Sequence, residues 1–380
     1  MTGGSRFVVE YEILAHDPAD ALSRAEAAAL EQTVEIPRDI VPLGYIEDVI
    51  LGRVEDIHQR EPGVYSARIS YSPDCVGPAD LTQLLNVIFG NSSLQCGIKT
   101  VGLDLDESLR GTFPGARFGI KGVRVRAGRA TGGLLAPVIK PVGSSVETLA
   151  DIAYRCALAG ADIIKEDHGL ANQPAAPFRK RCERIAAAVQ RANHETGRST
   201  LYFPNLSGSY EGVIENAHFA KDAGAGGLLV MPGLLGFGLI YALASNPSID
   251  LPIMAHPSFL GPHVLSADAG FTHAMMFAYL QRLAGTDISI FPNVAGRFSF
   301  TRAECLSIAA GCRDQRGVGR PIAPSPGGGM SPDRVAEMDA MYGPDVVYLL
   351  GGSLLRHGDR IGDTIRDIRR LLDSRHLARA

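Results

Sequence analysis

The segment Gly160-Ala161-Asp162-Ile163-Ile164-Lys165-Glu166-Asp167-His168 runs from an apolar strand into a lysine, two carboxylates and an imidazole. A buried strand gains nothing by delivering four ionisable groups at its end unless they face a cleft or one another. In a cleft, these types at this spacing suit a divalent cation and proton transfer. The plainer alternative is an ion pair at the strand's solvent end.

The surroundings favour the cleft. From about residue 134 the chain alternates apolar strands and amphipathic helices, with strands expected at 134–140, at the segment just described, and at 201–205, 227–231, 251–256, 288–293, 322–325 and 346–350. Helices are expected at 145–159, 175–196, 210–223, 234–244, 268–284, 302–312, 332–341 and 360–376. Eight βα units of this length predict a (β/α)8 barrel, with a doubly wound open sheet as runner-up. Lys140, the Lys165–His168 group, Asn205, His256 and Asn293 all fall at C-terminal strand ends, the face on which barrels build their sites. Glycines 327–329 and 351–352 follow strands seven and eight. Their N–H groups are suited to a phosphate, so Gly328, Gly329, Gly351 and Gly352 join Asn205 as candidate substrate-binding residues. Asp287 precedes strand six, at the wrong end of the barrel, and is expected to be structural.

Residues 1–125 form a different unit. Strands at 6–14, 63–71 and 98–105, with helices at 20–31 and 79–89, predict a small α+β domain of ferredoxin-like type. Residues 126–380 then form the barrel domain. With 46% hydrophobic and 21% charged residues the chain can bury a large core, and a net charge of −4 argues against nucleic acid as a partner. No apolar run approaches a membrane span, and the N-terminus lacks an apolar signal core. Six cysteines without a CxxC read as reduced thiols, so a cytoplasmic location is expected.

These motifs resemble the large subunit of ribulose-bisphosphate carboxylase/oxygenase (RuBisCO). The resemblance rests on Lys140-Pro141, on Gly160-x5-Glu166-Asp167 with Asn172-Gln173-Pro174 following, on both glycine clusters and on Phe89-Gly90-Asn91. It implies that Lys165 is carbamylated by CO2 and holds Mg2+ with the residues at 167 and 168. It also implies a homodimer in which Asn91 reaches the partner's site, Glu31 being a candidate for a second such residue. Departures are as informative. Val142 stands where the carboxylase has a second catalytic lysine, His168 where it has a glutamate, Pro257 where it has a phosphate-gripping arginine, and Ile290 where it has a histidine. The loop lysine that stabilises the carboxylated intermediate aligns with Arg297. The chain therefore resembles the RuBisCO-like proteins (form IV), which enolise phosphorylated keto compounds and do not fix CO2.

The resemblance leaves Lys140, Lys165, His256 and Arg297 as catalytic candidates and Lys165, Asp167 and His168 as Mg2+ ligands, although imidazole suits that hard cation less well than carboxylate. The expected reaction is isomerisation of a phosphoketose of the 5-methylthioribulose 1-phosphate type. Two alternatives are a lyase on a phosphorylated 3-oxo sugar acid of the 3-oxo-isoapionate 4-phosphate type, with Arg297 on the carboxylate, and a non-catalytic binding relative. Ile290, Phe291 and Leu234–Leu235 are expected to form an apolar wall, and Phe298 and Phe300 to pack the loop after strand six. Lys99, His263 and His273 are expected to be solvated or packing residues, Lys99 with an alternative reach into a partner's site.

Overall fold

The computed structural model describes residues 5–296, 298, 300–315, 317–328 and 331–377. Strands β1 (Phe7–Leu14), β2 (Arg53–Glu61), β3 (Val64–Tyr71) and β4 (Ile98–Asp104) form an antiparallel sheet in the order β4-β1-β3-β2. That order, with helices Pro18–Glu31 and Leu81–Phe89 between strands, is the ferredoxin-like arrangement. β1 alternates strictly, burying Phe7, Val9, Tyr11 and Ile13. The sequence reading placed no strand at β2. Most of that strand is exposed and rich in charge, as suits a sheet edge, so it carries no hydrophobic alternation to detect.

Eight parallel strands make the barrel: β5 (Leu134–Ile139), β6 (Ile163–Glu166), β7 (Leu201–Phe203), β8 (Leu228–Val230), β9 (Ile253–Ala255), β11 (Ile288–Pro292), β12 (Ala323–Gly327) and β13 (Val347–Leu350). A bridge between Asn205 and Leu229 joins β7 to β8, and the Ser325 hydroxyl donates to Val347 O (3.0 Å) across β12 and β13. The intervening strand β10 (Ala269–Phe271) leaves the barrel and pairs with β4. This corrects the continuous helix expected at 268–284. The helix expected at 234–244 is likewise broken, because Gly236 takes φ +82 between Pro232–Leu235 and Phe237–Ser245.

Two cores follow from the period-two alternation of strands. Val138, Ile163, Phe203, Met254, Ile290 and Leu349 fill the barrel interior, whereas Ile139, Ile164, Tyr202 and Val230 face the helices. The helix Gly119–Arg126 plugs the N-terminal end, with Ile120 and Val123 in the interior core. Asp287 holds it there. One carboxylate oxygen accepts from Phe118 N (2.8 Å) and Gly119 N (2.7 Å), and the other from Ile253 N (2.9 Å). Burial pushes this carboxyl up to about 6 from 3.8, against the pull of those N–H groups, so its stabilising contribution is largest in acid and declines between about pH 4 and pH 6. Asp287→Ala strands three buried donors and should cost at least about 3 kcal/mol in a urea melt, at about 1–3 kcal/mol per orphaned group. Turnover measured well below the unfolding transition should be unchanged. Among the described residues, no helix is long and apolar enough to cross a membrane.

Candidate active site

Strand alternation decides which groups of the Lys165–His168 segment meet the cavity. Ile163 is in the barrel core, so Lys165 also points inward and Glu166 points to the helix layer. Lys165 is 1% exposed, and its Nζ donates to Glu166 O (2.7 Å). Burial is the main cause that brings its pKa down to about 8; Lys140 pushes the same way, and Asp167 and Glu166 oppose. A neutral amine is thus present in quantity at mildly alkaline pH.

Asp167 accepts from Gly169 N (3.0 Å) and lies 3.4 Å from Lys140 Nζ and 3.5 Å from His168 Nδ1. Burial works to raise its pKa, but the Gly169 N–H and the charges of Lys165, His168 and Lys140 hold it below the usual carboxylate value. The His168 and His256 rings stack at 4.0 Å. Burial, and then the cations around it, push His256 well below the ordinary imidazole value, so it is neutral. His256 Nδ1 lies 2.9 Å from the Ser258 hydroxyl and accepts from Ser258 N (3.3 Å), an arrangement that favours the proton on Nε2.

Glu166 holds the same segment from behind. It accepts from Arg181 Nε (2.6 Å) and Nη2 (3.1 Å), from the Tyr202 hydroxyl (2.7 Å) and from Asn205 N (2.9 Å). Arg181 also donates to Ala171 O (2.7 Å) and Ala176 O, and both Glu166 and Arg181 are fully buried. This ion pair ties the loop after β6 to the barrel wall and takes no part in the cavity.

The cavity above the strand ends encloses about 1220 Å³. Lys140, Lys165, Asp167, His168, His256, Gly328, Gly351 and Gly352 all line it. Asn205 is not part of the lining. Its amide nitrogen donates to His168 O (3.0 Å) and Leu170 O (2.9 Å), while its buried Oδ1 has no hydrogen-bond partner among the described residues. Asn91 lies in the N-terminal domain, outside this cavity, and donates to Glu31 (2.9 Å) and Glu35 (3.0 Å). Arg297 and Gly329 lie outside the described residues. Asn293 is buried, accepting from the Tyr342 hydroxyl (2.6 Å).

The apolar wall is only partly as expected. Ile290 and Phe291 line the cavity and Leu234–Leu235 do not. Phe298 and Phe300 line it too, although Phe300 also packs edge-on to His273 (4.3 Å). The sequence reading missed Phe259, Leu265 and Arg356. Phe259 (68% exposed), Leu265 (62%) and Phe298 (50%) present apolar surface at the cavity. Phe259 does so at φ +68, a conformation a bulky residue adopts only when its surroundings enforce it. Lys99 fastens the loop that carries Leu265, donating to Ser266 O (2.7 Å) and Ala267 O (3.0 Å). Lys99 is partly buried and held by these two carbonyls within its own chain.

Among the described residues no three His, Cys, Asp or Glu side chains converge as a ready cation site. Asp167 and His168 supply two donors, and Lys165 completes an oxygen-bearing set only as a carbamate. The residues therefore fit Mg2+ once Lys165 is modified, with His168 the weakest donor to a hard ion.

Comparison with known proteins places this geometry in context. The family description "Ribulose bisphosphate carboxylase large chain, catalytic domain" matches residues 119–297. The chain is 38% identical over 340 residues to 5-methylthioribulose-1-phosphate isomerase of Rhodospirillum rubrum, covering 89% of each. It is 32% identical over 368 residues to 2,3-diketo-5-methylthiopentyl-1-phosphate enolase of Bacillus licheniformis, covering 95% of this chain and 90% of the relative. The crystal structure of a Rubisco-like protein from Rhodopseudomonas palustris superposes with a TM-score of 0.86 at 34% identity, covering 97% of this chain and 98% of that one.

Proposed function

From the premise that the chain belongs to the RuBisCO-like (form IV) group of the RuBisCO large-chain family, we propose that it isomerises a phosphoketose of the 5-methylthioribulose 1-phosphate type by enolisation. That it is an enzyme acting on a phosphorylated sugar compound accords with both named relatives. The observation that carries the reading is one cavity lined both by two lysines, Asp167 and two histidines and by exposed Phe259, Leu265 and Phe298. The ionisable groups suit proton removal beside a carbonyl, and the apolar ones suit a methylthio tail.

Lys165 as a carbamate, Asp167 and His168 would hold Mg2+, which when bound supplies positive charge to polarise the carbonyl and its neighbouring hydroxyl. The amine of Lys140 in its deprotonated form, or a carbamate oxygen on Lys165, would take the proton from the carbon next to the carbonyl. The electrons of that C–H bond become a C=C and the carbonyl π pair moves onto oxygen, giving an enediolate. His256, neutral with its proton on Nε2, donates to the hydroxyl on the adjacent carbon and fixes its orientation. The proton returns to the former carbonyl carbon while the hydroxyl on the adjacent carbon passes its own proton to the alkoxide and becomes the new carbonyl, which completes the isomerisation. A homodimer would bring Asn91 and Glu31 of one copy to the other's cavity.

In D2O with Mg2+ and bicarbonate, 5-methylthioribulose 1-phosphate should lose the proton signal beside its carbonyl and yield an isomer. Absence of both exchange and isomer by proton NMR would sink the reading. Exchange followed by carbon–carbon cleavage of a 3-oxo sugar acid phosphate would replace it with the lyase.

A further inference from the structure

Of the cations that line the cavity among the described residues, two are committed. Lys140 faces Asp167 at 3.4 Å, and Lys165 is buried with its amine on Glu166 O. The third is Arg356, which no motif of the sequence reading included. It follows the short turn Gly352–Leu355 after β13 and is exposed, and its guanidinium makes no hydrogen bond or ion pair among the described residues. Buried Leu354 anchors the turn, and Ser353 and Arg356, three residues apart, both reach the cavity.

We propose that Arg356 binds the phosphate of the substrate and thereby fixes which end of the molecule lies toward β13. The proposal rests on the reading of this cavity as a site for a phosphorylated substrate. Two features of the surroundings carry it. A Cβ placed on Gly351 would sit 3.5 Å from Lys140 Nζ, so the start of the β13 loop runs against Lys140, and Arg356, five residues on, lines the same cavity. The β9 side offers His256, Ser258 and Pro257 with exposed Phe259 and Leu265, and no lysine or arginine among the described residues. A planar guanidinium takes phosphate oxygens in pairs, whereas an ammonium contacts them as a point charge. Arg356 is a specificity residue in this account: it contacts a group that does not react, so its loss weakens binding more than chemistry.

The test is calorimetric titration of the full-length protein with inorganic phosphate, using wild type, Arg356→Ala and Arg356→Lys. Wild type should bind, Arg356→Ala should bind at least about tenfold more weakly, and Arg356→Lys should fall between them. With a turned-over phosphoketose, Arg356→Ala should raise KM by a similar factor and leave kcat within about threefold. Phosphate binding unchanged in Arg356→Ala overturns the proposal, and so does a wild type that binds no phosphate. Weakened phosphate binding without turnover of 5-methylthioribulose 1-phosphate upholds Arg356 and removes the proposed substrate. Isomerase turnover with phosphate binding indifferent to Arg356 does the reverse.

Discussion

Lys165→Met should lower kcat by about 10³-fold or more and at the same time raise the melting temperature in CO2-free buffer at pH 7. The two halves have one cause. Burial brings the Lys165 pKa from 10.5 to about 8, so below pH 8 the fold carries a cation that would be better solvated in the unfolded chain. Because this pKa is depressed on folding, the unfolded state binds more protons between about pH 8 and 10.5, and stability from this group rises with pH across that window. Below it the cost is on the order of 3 kcal/mol, at about 1.4 kcal/mol per pKa unit, and methionine removes it while filling a similar volume. The same depressed pKa governs activation. Carbamate forms when a neutral amine attacks CO2 and releases a proton, so activity gained on preincubation with bicarbonate should climb with pH through about 8. Calorimetric scans and an activation profile against pH check both halves. A melting temperature that falls in Lys165→Met, or activation that is flat with pH, would remove the buried amine from its assigned role.

The second large effect belongs to the ion pair behind the site. In Arg181→Met, Glu166 keeps the Tyr202 hydroxyl and Asn205 N but loses both guanidinium contacts in a fully buried position. Removing one partner of such a pair costs about 3–5 kcal/mol. In Glu166→Gln/Arg181→Met no carboxylate is stranded, so the double variant should lose less than the two single losses added together. A second consequence separates this pair from an ordinary core contact. Arg181 also holds Ala171 O and Ala176 O, and Asn205 holds His168 O, so Asp167 and His168 sit on a loop fastened from below. Mn2+ binding to CO2-treated protein, followed by electron paramagnetic resonance, should weaken in Arg181→Met under conditions where the variant is still folded. Urea melts supply the stability arm. Metal binding equal to wild type would make the pair a matter of stability alone.

Much of the molecule was legible from local pattern. The βα period predicted eight strands, and each was found within a few residues of its expected place, because a buried parallel strand is an apolar run that needs no distant information to recognise. Lys140, Lys165, Asp167, His168 and His256 were legible for the opposite reason, as ionisable groups at the ends of apolar runs, where burial without function is costly. β2 was illegible because an exposed edge strand carries no alternation, and β10 because a three-residue strand depends on the partner that receives it.

The sequence by itself determined the period, the barrel and the ionisable end of β6, since all three are written in the spacing of apolar and charged residues along one stretch of chain. Only the tertiary structure decided what each group faces. Lys165 and Glu166 are neighbours in sequence, yet alternation sends one to the cavity and the other to Arg181, fifteen positions away. Asn205 ends its strand as Lys165 does, but a loop from another unit takes its amide first. Phe259, Leu265 and Arg356 belong to no motif themselves and come to line one cavity with Lys140 only because the barrel closes, bringing the loops after β9 and β13 around one opening. Period is a property of one segment; a site's walls are a property of closure.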